Sequence, residues 1–406
     1  MKIGEAIADE CRHMFTIPKL AAILLLMPIL YAVLFGFLYS HERITEMPVV
    51  VYDGDNSSLS RQIIQAFDAT DTFQVTGQRW NQEDVVQAVQ SGEARVGLII
   101  PPNFTSGLQH GENVPILTFI DGSNLIYSNS ASRIANQVIM SVSSGATLQT
   151  LDKQGMSSEQ AGSLLNTIPY RSRVLYNPVF NYEYYMPIGV ISAALQQCLL
   201  LGIALSCTWQ KEAGSWGQFG VWRFSPWKLA IAKLTPYFLI GLVNIVVSFS
   251  IAHFGFGIPF AGQLLPMLFL ALAFNFAVCG LGFLFSIVSK RQVDAIQALM
   301  LIAMPSFMLS GYTWPLEAMP SVLRIIGECL PLTQFLQGVR NIVGKGLPLE
   351  SIWGNVMALG LIGLVTLLIS FLIYPLTIRR HSEDNPPTTT SQSNQPVTIA
   401  DPVQKG

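Results

Sequence analysis

Five stretches of the chain carry no Asp, Glu, Lys or Arg: residues 20–40, 184–210, 234–289, 295–316 and 351–378. About 20 apolar helical residues cross a bilayer core, so each stretch is long enough to span, and 234–289 is long enough for two. Gly255-Phe-Gly257-Ile-Pro259-Phe-Ala-Gly262 interrupts that long stretch and reads as the turn of a helical hairpin. The pattern predicts six spans, at 20–40, 184–208, 230–254, 263–288, 294–312 and 352–377. Before the first, Ile3, Ala6, Ile7, Met14 and Phe15 fall near one helical stripe, with Lys2, Glu5, Asp9 and Arg12 on the other side. Residues 1–19 therefore read as an amphipathic helix lying in the membrane interface, the alternative being a frayed tail. No small-residue cleavage site closes the first apolar run, which argues against a signal peptide.

Residues 41–182 have a different rhythm. Short apolar runs at Val49–Tyr52, Phe73–Val75, Ala94–Ile100 and Ile116–Ile120 alternate with polar, helix-like stretches up to Thr70, at 82–91 and at 124–162. Strands interleaved with helices predict an inserted α/β domain. The strings VVVYDGDNSSLSRQI from Val49 and ILTFIDGSNLIYSNSASRI from Ile116 echo each other. Internal duplication and two ordinary strand-to-helix turns both account for them. Residues 381–406, rich in Asn, Pro, Thr, Ser and Gln, cannot bury a core and read as a disordered tail.

Composition agrees with a membrane protein. The 406 residues are 50% hydrophobic and 12% charged, against roughly 25% charged in soluble domains. The formal net charge of −2 argues against nucleic acid, which favours a basic face. The five cysteines include no CxxC pair and the five histidines are scattered, so neither a disulfide scaffold nor a metal site is expected. Short-loop basic residues set the orientation. Lys2, Arg12 and Lys19, then Lys211, Arg223, Lys228 and Lys233, then Lys290-Arg291, then Arg379-Arg380 all fall on one side if both termini are cytoplasmic. Residues 41–182 are then extracytoplasmic.

Between the last two spans, 311–350 is apolar but broken by Gly311, Pro315, Pro320, Pro331 and Gly338. Its helical pieces are about 14 residues or fewer, too short to cross. Irregular backbone at membrane depth survives only inside protein or beside a wet cavity. Residues 313–346 therefore read as two short re-entrant helices, with a surface-lying amphipathic loop as the alternative. Asp53-Gly-Asp55-Asn56-Ser57 looks like a calcium loop but lacks the glycine and closing glutamate that such a loop needs; a helix-capping turn fits better. Glu317, Arg324 and Glu328 suggest i,i+4 support or a gating role. Trp209, Trp216, Trp222 and Trp227 suggest an interfacial belt, and Gln196, Gln197, Asn244 and Asn275 suggest interhelical hydrogen bonds. His253 has no intramembrane acid to share a proton with.

Two segments carry a family resemblance. The first is Ser310-Gly311-Tyr-Thr-Trp-Pro315-Leu-Glu317-Ala-Met319-Pro320, followed by Leu330-Pro331-Leu-Thr333-Gln-Phe335 and Arg340. It resembles the signature of ABC-2 type exporter permeases. The second, Lys211-Glu212-Ala-Gly214-Ser215-Trp-Gly-Gln218, is similar to that family's Glu-x-Gly-Thr-x-Glu-Gln loop, with Ser215 in place of Thr and Gly217 in place of Glu. The family's later Thr-Pro is replaced by Trp222-Arg223, while Trp227 and Ala232 to Tyr237 fit. The inserted domain, with Val51-Tyr52-Asp53-Gly-Asp55 and Ile99-Ile100-Pro101-Pro102, resembles the insert of the drug-export-like branch. The likeness covers 1–378.

The resemblance implies an α-helical polytopic membrane protein of ABC-2 type, with a transmembrane domain at 183–380 and a coupling loop at 209–229. It implies a permease subunit in the bacterial inner membrane that moves a drug-like or lipid-like substrate outward. ATP and Mg would be bound by separate cytosolic ATPase subunits, and this chain would bind no cofactor. Glu212, Gly214, Ser215 and Gln218 would contact the ATPase, and Ser310, Gly311, Pro315, Met319, Pro320, Pro331, Thr333 and Arg340 would shape an outer gate. A second permease subunit, identical or paralogous, is implied, as are lipid contacts; a periplasmic membrane-fusion protein is left open. The residues themselves support the division of labour, since the chain has no GxxxxGK[ST] phosphate loop. The nearest string, Gly338 to Gly344-Lys345-Gly346, has the wrong spacing. A membrane-anchored receptor is the rival reading, distinguished by its having no use for 311–346. An intramembrane hydrolase lacks any acid pair or Ser/His set in the spans.

Overall fold

The computed structural model describes residues 3–39, 45–110, 112, 114–153, 185–214, 216 and 225–384. The chain divides into two compact units, one of residues 1–41 with 179–406 and one of residues 42–178.

In the first unit α1 (Ile3–Thr16) is followed by α2 (Pro18–Tyr39), the first of six helices among the described residues that are long and apolar enough to cross a membrane. The other five are α7 (Met186–Glu212), α8 (Pro226–Gly255), α9 (Leu264–Val288), α10 (Gln292–Leu309) and α13 (Leu349–Asp384). All six predicted spans exist, but several bounds move. α7 runs to Glu212 and α8 starts at Pro226, where proline suits the first helical turn, so the loop expected at 209–229 narrows to 213–225. α13 continues to Asp384, past the expected end of order at 380; residues 385–406 lie outside the described residues. α9 packs most extensively on α13. At Gly280 an added Cβ would lie 2.4 Å from Thr366 Oγ1 and 2.8 Å from the Gly363 carbonyl, the small-residue approach by which membrane helices gain dispersion contacts.

α1 is helical as expected, but it does not simply float on an interface. Its buried residues are Ala6, Glu10 and Met14, and Phe15 is 58% exposed. The docked stripe is thus rotated from the predicted one and has a carboxylate at its centre. Within α2, Ala22–Leu26 forms a π turn, and Asn244 Nδ2 of α8 donates to the Leu24 carbonyl at 2.7 Å. Asn244 is therefore the expected interhelical bond. Asn275 instead donates to Ala271 of its own helix at 3.0 Å.

The second unit holds β1 (Met47–Asp53), α3 (Ser58–Asp68), β2 (Phe73–Gln78), α4 (Gln82–Gln90), β3 (Val96–Ile100), α5 (Phe104–Gln109), β4 (Leu117–Ile120) and α6 (Leu125–Lys153). The sheet order is β2-β1-β3-β4; β1 runs parallel to β2 and β3, and β4 antiparallel to β3. Alternate residues of a strand face opposite sides. Val49, Val51, Leu98 and Ile100 accordingly meet α3 and α6, while Val50 and Ile99 meet Val85 and Ala88 of α4. Each such side chain contributes about 1.5–3 kcal/mol of burial. The two echoing strings lie on strands of opposite direction, and the common element is an Asp turn: Asp53 Oδ1 accepts from the Asp55 amide and Asp121 Oδ1 from the Ser123 amide. Ser57 caps α3, exchanging bonds of 3.0 Å with Ser60, so the calcium-like string is a helix cap. The helix-like stretch expected to 162 is described only as far as Lys153.

Candidate functional site

At one end of the helical unit, the end carrying the basic loop residues, α7 stops because its chain reverses through Gly214. Its φ of +70° is the left-handed conformation that glycine adopts without Cβ strain. The Ala213, Gly214 and Trp216 amides donate back to Trp209, Lys211 and Gln210. Trp216 is fully buried, edge-on to Tyr374 at 6.1 Å, so it does not belong to an exposed belt. Trp227 is exposed, and Trp222, Ser215 and Gln218 lie outside the described residues.

The last two residues of α7 point to two other helices. Lys211 Nζ donates to the carbonyls of Ser286 at 2.9 Å, Ser289 at 2.7 Å and Ile287. Glu212 accepts from the Gln292 amide at 2.8 Å and from its side-chain Nε2. The carboxylate expected to face an ATPase is thus engaged by the first residue of α10 within the same chain.

Beside them lies a buried polar cluster that patterning did not single out. Lys233 of α8 bonds Glu10 of α1 and donates to the Ser206 carbonyl at 2.8 Å, while Tyr237 donates to Glu10 at 3.0 Å. Glu10 is 2% exposed and Lys233 3%. Burial raises the Glu10 pKa, and the Lys233 charge opposes that rise. His13 stacks on Trp209 at 3.8 Å, and burial together with Lys233 lowers its pKa. The available signal was the spacing Ala6–Glu10–Met14, four residues apart on one helical face, with an acid at its centre.

The opposite end is organised by two tyrosines. Tyr185, just before α7, and Tyr312, just after α10, stack at 4.3 Å with planes 7° apart. Each hydroxyl donates to the other's carbonyl, at 2.6 and 2.5 Å. Arg340 Nη2 donates to the Tyr185 hydroxyl at 2.6 Å and to the Gly311 carbonyl at 3.1 Å. Gly311 needs its φ of +75° to turn the chain, and Ser310 caps the last turn of α10 through the Phe307 carbonyl at 2.6 Å. Ser310, Gly311 and Arg340 therefore converge.

The other residues expected at the gate shape breaks. Pro315 precedes the 3₁₀ turn Leu316–Ala318, Met319-Pro320 leads into α11 (Ser321–Glu328), and Pro331 opens α12 (Pro331–Val339). Thr333 is fully buried, its hydroxyl without a hydrogen-bond partner among the described residues. Phe335, on the same helix, stacks on Phe274 at 4.0 Å. Arg324 and Glu328 form the expected i,i+4 pair at 2.8 Å. His253 bonds the Ile258 carbonyl at 2.8 Å, a turn contact. Tyr185 was not anticipated, and Tyr312 was passed over inside the motif it belongs to.

Six membrane-length helices among the described residues, with a broken helical segment before the last and a glycine turn at the end of the second, are the architecture of a polytopic membrane protein. The family model described as ABC-2 family transporter protein matches residues 19–372, and the chain belongs to that family. The probable multidrug ABC transporter permease YbhR of Escherichia coli (strain K12) is 24% identical over 359 residues, covering 88% of this chain and 94% of YbhR. The inner membrane transport permease YhhJ of the same organism is 23% identical, covering 82% and 86%. ABC transporter G family member 20 of Dictyostelium discoideum is 22% identical over 66% of this chain and 37% of its own length. The chain is a permease subunit of an ABC exporter, a multi-pass membrane protein that partners ATPase subunits.

Proposed function

We propose that this chain forms half of the pathway of an inner-membrane exporter for hydrophobic or amphipathic compounds, drug-like or lipid-like, with its basic end and both termini in the cytoplasm. ATP and Mg are bound by cytosolic ATPase subunits that dock at the loop following α7, and the chain itself binds no cofactor. A second permease subunit, identical or paralogous, completes the pathway. The 42–178 unit then lies outside, available to a periplasmic membrane-fusion protein. The segment from Ser310 to Arg340 is the outer gate.

The observation that carries this reading is the joining of α1, α7, α8, α9 and α10 at the basic end through Glu10, Lys211, Glu212 and Lys233. The loop beginning at Ala213 emerges from a fixed point linked to most of the bundle, so a push there is shared by several spans. Spans without charged side chains over 20–40 and 351–378 suit an apolar cargo, since a charge at mid-bilayer is costly. The name of YbhR, a probable multidrug permease, supports the same cargo class.

The test is purification from native membranes, identification of the co-purifying subunits, and reconstitution with a lipophilic dye. ATP-dependent dye movement that needs a co-purifying ATPase is expected. Nucleotide hydrolysis by the isolated chain, abolished by Lys345→Ala, would overturn the division of labour. Labelling of an introduced cysteine at position 84 only from the cytoplasmic side would overturn the orientation.

A further inference from the structure

α7 ends in two consecutive side chains of opposite charge, and each engages the end of a different helix. Lys211 sits on the Ser286, Ile287 and Ser289 carbonyls at the C-terminus of α9, where carbonyls lack intrahelical partners and the helix dipole is negative. Glu212 sits on the Gln292 amide at the N-terminus of α10, where free amides and the positive end of the dipole favour an acid. Arg291, the N-cap of α10, supplies no side-chain cap of its own, so Glu212 fills that role from another helix. The short turn 289–291 is thereby gripped from both sides by neighbouring residues of α7.

The far ends of α7 and α10 are also joined. Tyr185 precedes α7, Tyr312 follows α10, and the two stack and exchange hydrogen bonds. An added Cβ at Gly189 would lie 2.3 Å from the Tyr312 ring, so that ring lies directly on the α7 backbone. α7 and α10 are therefore an antiparallel pair tied by polar contacts at both ends. Apolar helix faces shift past one another in small shear steps, whereas directional hydrogen bonds at helix ends fix the register.

From this geometry we infer that Lys211 and Glu212 are positioning residues of a transmission clamp: they join the loop after α7 to the α9–α10 turn, so that displacement of the loop drives α10 and the Tyr185–Tyr312–Arg340 cluster at its far end. The inference rests on the proposed docking of an ATPase at that loop, and it gives Glu212 an intramolecular role rather than a direct ATPase contact.

The experiment uses the full permease–ATPase complex in proteoliposomes, with Glu212→Ala, Glu212→Gln, Gln292→Ala and Lys211→Met. Subunit retention, ATP turnover, dye moved per ATP and hydrogen exchange over 289–296 are all measured. With Glu212→Ala the complex should assemble and hydrolyse ATP, while dye moved per ATP falls about ten-fold or more, one decade for each 1.4 kcal/mol of coupling. Exchange at the Gln292 amide should rise. Lys211→Met should act in the same direction. Glu212→Gln keeps an acceptor for that amide and should restore most of the coupling. Gln292→Ala removes one of the two bonds and should give an intermediate loss, which keeps the test open if Glu212→Ala does not insert.

Loss of assembly or of ATP turnover in Glu212→Ala, with exchange at 289–296 unchanged, would overturn the clamp in favour of a direct ATPase contact. An unchanged ratio of dye to ATP would overturn it as well. A wild-type complex that binds its ATPase yet moves no dye would overturn the lipophilic-cargo reading, while exchange at Gln292 would still report on the clamp's bonds.

Discussion

Removing the carboxylate of Glu10 should release α1 from the helical unit. Lys233, 3% exposed, would keep the Ser206 carbonyl at 2.8 Å and the Trp209 ring at 5.5 Å but lose its counter-charge. It stands two turns inside α8, so its ammonium cannot reach water without withdrawing its stem from the packed interior. Breaking a buried pair by removing one partner costs about 3–5 kcal/mol, chiefly through the charge left behind. At 1.4 kcal/mol per decade, the undocked population of α1 should rise by about two to three and a half decades. Hydrogen exchange of the α1 amides in lipid nanodiscs reads that population directly, because local opening exposes them. The double variant Glu10→Leu with Lys233→Met should recover most of the protection, since apolar replacements of a buried pair are often neutral or stabilising. Exchange in Glu10→Ala within about five-fold of wild type, under ~1 kcal/mol, would show that the pair is hydrated and refute the reasoning. A double variant as loose as the single one would show that shape, and not charge, holds α1.

Gly189→Ala should place a methyl group 2.3 Å from the Tyr312 ring and cost about 1–3 kcal/mol as overpacking, read as a lower thermal midpoint; a wild-type midpoint would show that the tyrosine stack yields freely. Asn244→Leu should remove the donor to the Leu24 carbonyl and cost about 0.6–2 kcal/mol, the range for interhelical bonds in membranes, with faster exchange around the π turn of α2 as its local sign. Asp121 is held down from 3.8 to about 2 by the Ser123 hydroxyl and amide and by Arg95. A depressed carboxylate contributes stability that is present above its unfolded value and lost as pH falls through its folded one. Protection of the β3–β4 amides, taken relative to the intrinsic exchange rate at each pH, should therefore fall from about pH 4 to pH 2, and Asp121→Asn should flatten that dependence; an unchanged protection profile would remove Asp121 as its source.

The six spans were legible because a bilayer imposes one requirement, about 20 apolar residues with an internally satisfied backbone, and that requirement is written locally. The strands of the 42–178 unit were legible for a related reason, since the continuous apolar runs Val49–Val51 and Val96–Ile100 reflect burial on both faces of the sheet. Helix ends were less so. The stop at Gly214 and the start at Pro226 are local signals, but their force depends on Trp216 being drawn into the core beside Tyr374.

What the sequence by itself determined is therefore the class: an ABC-2 type permease with an inserted α/β unit and a broken segment before the last helix. Which polar groups meet was decided only in three dimensions. Glu10 and Lys233 are 223 residues apart, Tyr185 and Tyr312 are 127 apart, and Glu212 and Gln292 are 80 apart. No local pattern encodes such pairings. A charged residue next to a span reads the same whether it faces water, a partner or a buried countercharge, because hydropathy records the cost of burying it and not the hydrogen bonds that offset that cost. Those partners are supplied by helix packing, and packing alone turned Lys211 and Glu212 from loop charges into the caps of two other helices.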